Sequence, residues 1–226
     1  MNPAASPVVT RRALQSVYTR LYKNFGPQQW WPAGSPFEVM VGAVLTQNTS
    51  WVNVERAIAN LVAHDKLDAD AIIRARHDHL ARWLKPSGYF NVKAKRLKNL
   101  CRWYRQQGGF NALSGWETDA LRTSLLTVNG VGHETADDIL LYAFERPVFV
   151  IDAYTRRLFS RLGHFAGDEG YDEMRLTIEQ RLCPDAGLFN EYHALIVRQA
   201  KQVCRVKPLC ADCVLKRGCP TAGSGC

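Results

Sequence analysis

Apolar residues recur at intervals of three and four along most of this chain, in the segments 11–25, 36–48, 51–64, 92–106, 134–144, 153–162 and 188–203. That spacing lines side chains along one face of an α-helix. Strand-like alternation of apolar and polar residues is scarce. Gly-, Pro- or polar-rich stretches at 26–34, 85–90, 107–115 and 164–170 separate the periodic segments and are expected to be turns. Ser35-Pro36-Phe37-Glu38 joins a capping serine to a glutamate three residues on, with proline at the first helical position, so a helix is predicted to start there. Asn91 is the expected N-cap of VKAKRLKNLCRWY, whose Lys93, Lys95, Arg96 and Lys98 form a basic face behind an apolar one. The pattern predicts an all-α protein, with no repeat or low-complexity tract, and a cysteine-bearing loop appended at its C-terminal end.

Composition narrows the class. The chain has 226 residues, 46% of them hydrophobic, and six tryptophans, enough to bury a core as one large domain or two small lobes. Its net charge is +8 and its pI 9.2. Such a balance suits a polyanion partner, because each phosphate neutralised releases counterions; a basic protein without a nucleic-acid partner has the same charge. No apolar run approaches the roughly 20 residues needed to cross a bilayer. The N-terminal MNPAASPVVTRR lacks the apolar core of a secretory signal. Seven cysteines in a chain expected to stay in a reducing compartment point to metal ligation before disulfides.

Four of those cysteines, Cys204, Cys210, Cys213 and Cys219, fall in the pattern C-x5-C-x2-C-x5-C. An all-thiolate set in so short a loop suits a [4Fe–4S] cubane, whose irons each take one thiolate. A tetrahedral zinc site is the main alternative, although its ligands usually come as two C-x2-C pairs. Free thiols or disulfides are the third. Cys101, Cys183 and Cys226 read as core or surface thiols.

Gly130-Val131-Gly132 interrupts a helical pattern near Val128, and a second helix is expected to begin at about His133. Both glycines are free to adopt φ > 0 and leave backbone N–H groups uncovered. With the positive end of the following helix, those amides form a seat for one phosphate. Many such turns merely connect helices. After the apolar run Pro147-Val148-Phe149-Val150-Ile151 comes Asp152, opening AYTRRLFSRLG. As an N-cap, an aspartate there accepts amide hydrogen bonds and stays ionised. An ionised carboxylate facing a sugar also stabilises an oxocarbenium-like centre or activates water. Arg156 and Arg157, one turn on, face either phosphates or solvent.

Taken together, GVGHETA, VIDAYTRR and the four-cysteine loop resemble the endonuclease III branch of the helix-hairpin-helix DNA glycosylases, from about Phe37 to Cys219. The resemblance implies a two-lobed all-α fold, with one lobe of residues 29–146 and another of 1–28 and 147–226, and DNA between them. It also implies a hairpin of Gly130, Val131, Gly132, His133 and Thr135 on phosphate, a catalytic Asp152, and a [4Fe–4S] cluster on Cys204, Cys210, Cys213 and Cys219. The first cysteine gap is one residue shorter than in typical endonuclease III sequences, and Asn129 replaces the usual hairpin proline. In bifunctional members a lysine two residues after the second hairpin glycine forms a Schiff base with the sugar. Here that position is Glu134, and a carboxylate cannot form an imine. Lys93 and Lys95 carry no sequence signal that would lower their pKa values or turn them inward.

Trp30-Trp31-Pro32, PFEVMVGAVLTQNTSWVNVERA and LKPSGYFNVKAKRL are more similar to the 3-methyladenine DNA glycosylases of the superfamily. That likeness implies a base pocket of Trp31, Pro32, Trp51 and Glu134, where stacked indoles bind an electron-poor alkylated purine. It matches Asn48 to the side chain that fills the gap left by the flipped base, and Tyr89 to a second wedge against the unpaired partner. These tryptophans also fit a plain core, and Asn48 and Tyr89 fit plain loops. The favoured reading is a monofunctional glycosylase acting on a damaged base in double-stranded DNA. It would be monomeric, cytoplasmic and nucleoid-associated, in a bacterium, without a membrane partner, and followed by an AP endonuclease. A bifunctional glycosylase/AP lyase on oxidised pyrimidines and a non-catalytic iron–sulfur DNA-binding protein are the rivals.

Overall fold

The computed structural model describes residues 9–223; Cys226 lies outside them. Helix makes up 66% of it and no strand occurs among the described residues. The helices are α1 (Arg11–Phe25), α2 (Pro36–Leu45), α3 (Trp51–Ala63), α4 (Ala69–Arg74), α5 (His77–Trp83), α6 (Phe90–Gln106) and α7 (Gly109–Ser114). They continue with α8 (Thr118–Leu126), α9 (His133–Asp138), α10 (Ala153–Arg161), α11 (Tyr171–Arg181), α12 (Ala186–Gln202) and the short α13 (Pro220–Gly223). A five-residue π-helical stretch, Ile139–Ala143, prolongs α9.

Two compact units result, Trp31–Arg146 and the described parts of Met1–Trp30 with Pro147–Cys226. In the first, α2 is apolar on every side and buried from Val39 to Leu45, the signature of a central helix. It packs on α3, α6 and the π-helical stretch. Ser35 caps it by accepting from the Glu38 N–H at 3.2 Å, while the Glu38 carboxylate accepts from the Gly34 N–H. In the second unit, α1, α10 and α12 enclose the fully buried Tyr192, which touches the rings of Tyr18, Phe149 and Phe159. Its hydroxyl donates to the Leu14 carbonyl at 2.8 Å, meeting the demand of a buried phenol for a partner.

Several local expectations change. The 107–115 stretch contains α7 rather than a turn. Helix α6 starts at Phe90, with Tyr89 rather than Asn91 as its N-cap. The supposed basic face of α6 is not a face: Lys93 is only 1% exposed, and the Lys98 ammonium donates to the Ile73 and Ala75 carbonyls at the end of α4. Helix C-termini leave carbonyls without intrahelical donors, and a cation satisfies both their hydrogen bonds and their partial charge.

Candidate active site

Asp152 caps α10: its Oδ1 accepts from the Thr155 N–H at 2.7 Å. The residue is 9% exposed, and its Oδ2 lies 3.5 Å from Nε2 of His193 on α12. Burial opposes ionisation of the carboxyl, but the His193 charge and hydrogen bond, with that from Thr155, outweigh it and hold the pKa below the usual carboxylate value. His193 carries no motif and sits on a different helix, so sequence periodicity marks it only as buried. Arg156 and Arg157 spend their guanidinium groups internally. Arg156 donates to the Glu169 carbonyl, and Arg157 to those of Ala200 and Cys204.

The glycine turn joins α8 to α9. Gly130 alone takes a left-handed backbone, φ 101°. Gly132 is the extended N-cap of α9, φ −95° and ψ −179°, and does not use the freedom to adopt positive φ that Gly130 uses. A Cβ on Gly130 would meet Cβ and Cδ of Arg96 at 2.8 and 2.9 Å, whereas one on Gly132 would meet nothing within 4 Å. Asn99 and Gln47 donate to the Asn129 and Gly130 carbonyls, each at 3.0 Å, bracing a turn that lacks the hairpin proline. Val131 and Thr135 are buried, and the Thr135 hydroxyl accepts from Gln47 at 2.9 Å; the Val131 N–H is spent within the turn, donating to the Val128 carbonyl at 2.9 Å. Arg122 grips the buried Asp137 through two hydrogen bonds of 2.6 and 3.1 Å and approaches His133 Nδ1 at 3.2 Å. Glu134 is exposed in the first turn of α9.

In the same unit, Asn48 and Tyr89 are both exposed and both left-handed, with φ 53° and 45°. Tyr89 is 71% exposed. A left-handed, exposed aromatic is costly as a mere connector. Lys93 lies behind these loops, donating from Nζ to the carbonyls of Leu45 at 2.9 Å and Ser87 at 2.6 Å. Burial, with the Arg96 charge, pulls its pKa down to about 8, so Lys93 is both turned inward and shifted, against the expectation from sequence.

Trp31 stands edge-to-face with Trp51 (centroids 4.9 Å apart, 86°) and tilted on Tyr142 (5.0 Å). Its ring also lies against Gly42, where a Cβ would come within 3.0 Å. Trp31 and Trp51 touch each other, with no open slot between the two rings. Pro32 is exposed beside them. Tyr142, on the π-helical stretch, was not singled out by sequence.

All four loop cysteines line one small apolar pocket, with Leu158, Leu162 and Leu215. Arg161 donates to the Cys204 sulfur at 3.4 Å and Gln199 to the Cys213 sulfur at 3.2 Å. Donors aimed at sulfur favour thiolate and sulfide. Arg20, Arg157 and Arg161 pin loop carbonyls at Val214, Arg217, Cys204, Arg205 and Val206. This donor set fits a cluster in kind and place. Among the described residues no three His, Cys, Asp or Glu side chains are grouped to hold an ion. Cys101 is buried, its thiol pushed up to about 12 by burial; Cys183 is exposed and accepts from Arg11.

The chain belongs to the HhH-GPD superfamily of base excision DNA repair proteins, whose profile matches residues 41–184. It is 47% identical over 209 residues to a proposed DNA repair glycosylase of Methanocaldococcus jannaschii, covering 91% of this chain and 95% of that one. It is 28% identical to endonuclease III of Thermotoga maritima over 81% of this chain and 82% of that one. Among solved structures, a 3-methyladenine DNA glycosylase of H. pylori bound to 1,N6-ethenoadenine aligns with a TM-score of 0.70 at 32% identity, covering 85% of this chain and 95% of that one. An endonuclease III–DNA complex shares the fold, with a TM-score of 0.82 at 20% identity over 96% and 98% of the two chains. The protein is therefore a DNA repair glycosylase.

Proposed function

We propose that this glycosylase is monofunctional and excises an alkylated purine from duplex DNA by hydrolysis. The observation that carries the reading is the buried Asp152 carboxylate, capped by Thr155 and paired with His193. As the C1′–N bond breaks, positive charge develops on the sugar, and the carboxylate stabilises it. Water adds to C1′ and loses its proton to the carboxylate. An alkylated purine bearing a positive charge leaves as a neutral base, so no strong general acid is required.

Gly130, Val131, Gly132, His133 and Thr135 hold the backbone phosphate, while Asn48 and Tyr89 fill the gap left by the flipped base. Trp31, Pro32, Trp51 and Glu134 surround that base, with Tyr142 behind Trp31. An electron-poor or cationic base suits stacked indoles, and the H. pylori neighbour is bound to 1,N6-ethenoadenine. Cys204, Cys210, Cys213 and Cys219 would hold a [4Fe–4S] cluster. When bound, the cluster supplies a cross-link for a loop that otherwise depends on arginine–carbonyl bonds. The protein works as a monomer on chromosomal DNA and hands an abasic site to an AP endonuclease.

The test is base release from duplexes carrying one 1,N6-ethenoadenine, one 3-methyladenine or one oxidised pyrimidine. Release of an alkylated adenine with the strand intact is expected. Excision confined to the oxidised pyrimidine, with strand cleavage, favours the bifunctional alternative. Binding without release of any base favours the non-catalytic one.

A further inference from the structure

Three neighbouring parts of the hairpin unit converge on one side of α6. The turn after α2 carries Asn48, the turn before α6 carries Tyr89, and the glycine hairpin carries Gly130. A connection of five or six residues, 46–50 and 84–89 here, does not hold a wedge at a fixed height by itself, because ordering each residue costs conformational entropy. Lys93 and Arg96, one helical turn apart, reach all three. Lys93 Nζ joins the carbonyl that ends α2, at Leu45, to that of Ser87, at 2.9 and 2.6 Å. Arg96 Nη1 donates to Gln47 Oε1 at 2.5 Å, and Gln47 Nε2 donates onward to the Gly130 carbonyl and the Thr135 hydroxyl. Ser87 is fully buried and tied twice to the Leu84 carbonyl, through its amide and its hydroxyl. A methionine would fill the space of Lys93 without the cost of burying an ammonium. What the ammonium adds is a fixed separation between two carbonyls, one under each wedge loop.

Resting on the reading of Asn48 and Tyr89 as wedges, we infer that Lys93 is a positioning residue that locks the two wedge loops into one rigid tool. Arg96 and Gln47 then key that tool to the phosphate-gripping hairpin. Insertion into the helix and grip on the backbone become a single event. Lys93 itself touches no DNA.

The experiment uses the full chain and two duplexes. One is undamaged; the other carries a tetrahydrofuran abasic analogue opposite 2-aminopurine, whose fluorescence reports unstacking by a wedge. Lys93→Met is expected to bind undamaged duplex within about threefold of wild type, and to lose about tenfold for the abasic duplex together with the fluorescence change, the equivalent of disordering one or two loop residues. Asn48→Ala and Tyr89→Ala run in parallel. If they leave affinity and fluorescence unchanged, the wedge reading fails. If they abolish the signal while Lys93→Met keeps it, the wedges stand and the lock is wrong. An equal loss on both duplexes also overturns the lock, since that is the mark of general destabilisation. Should Lys93→Met fail to fold, Lys93→Gln, which retains a donor for one carbonyl, takes its place with the same outcomes.

Discussion

Nε2 of His193 lies 3.5 Å from Oδ2 of Asp152, and both side chains are nearly buried. The pair makes the carboxylate harder to protonate, because the His193 charge favours its ionised form. Replacing the histidine with leucine leaves the burial and removes the opposing charge, so the Asp152 pKa rises. The acid limb of the excision rate then moves to higher pH, while wild type keeps its rate further into acid. The same linkage has a stability consequence. A depressed carboxyl stabilises the fold above its unfolded pKa near 3.9, and that contribution disappears as pH falls through the folded value. Acid denaturation of His193→Leu therefore begins at higher pH. Asp152→Asn keeps a capping oxygen and lesion binding but loses most base release; an unchanged rate in that variant makes Asp152 a cap and nothing more.

Gly130 and Gly132 separate a backbone requirement from a tolerant position. Gly130→Val places a Cβ against Arg96 on a left-handed backbone, at a cost of about 1–3 kcal/mol locally. DNA affinity falls for all sequences alike, measured by fluorescence anisotropy. Gly132→Ala meets no atom within 4 Å at a φ open to any residue and leaves affinity nearly intact. In both variants and in wild type, affinity declines steeply with salt, as phosphate contacts require.

Strand cleavage is expected to be absent. A Schiff base needs an uncharged amine at the sugar, and residue 134 is a carboxylate. Lys93, although shifted to about 8, keeps its Nζ on two carbonyls in the interior. Borohydride therefore traps no covalent protein–DNA adduct above background, and the abasic product is nicked only by alkali or an added AP endonuclease. Efficient trapping promotes the bifunctional alternative.

Anaerobically purified protein is expected to contain about four irons and to be yellow-brown. One zinc per chain and no iron sinks the cluster. Gln199→Leu and Arg161→Leu remove donors to the Cys213 and Cys204 sulfurs, and are expected to speed cluster loss in air without altering iron stoichiometry in fresh protein.

Lys93 gives a signature in alkali. Its folded pKa of about 8 lies below the unfolded value near 10.4. Between those limits the unfolded chain binds more protons, so this residue's contribution to stability rises with pH, by about 3 kcal/mol at most. Subtracting the denaturant midpoints of Lys93→Met from those of wild type isolates the effect, and a pH-independent difference refutes it.

Sequence alone determined the helical class, most helix positions and the parts that depend on nearest neighbours. Ser35 caps α2, Asp152 caps α10, and the Gly130 reversal sits between helices, because each is decided within about one helical turn. The spacing of Cys204, Cys210, Cys213 and Cys219 suits a shared ligand set, and Glu134 puts a carboxylate where an imine would need an amine. Tertiary structure decided which polar groups are buried together. Periodicity placed Lys93 on a solvated basic stripe, yet two helix-end carbonyls hold it inside; α6 is read from its own residues, and those carbonyls arrive from 48 and 6 positions away. His193 reaches Asp152, Gln47 reaches Gly130 and Trp31 lies on Gly42 for the same reason. Local spacing governs hydrogen bonds along the chain, whereas a buried charge selects its partner only after the helices have packed.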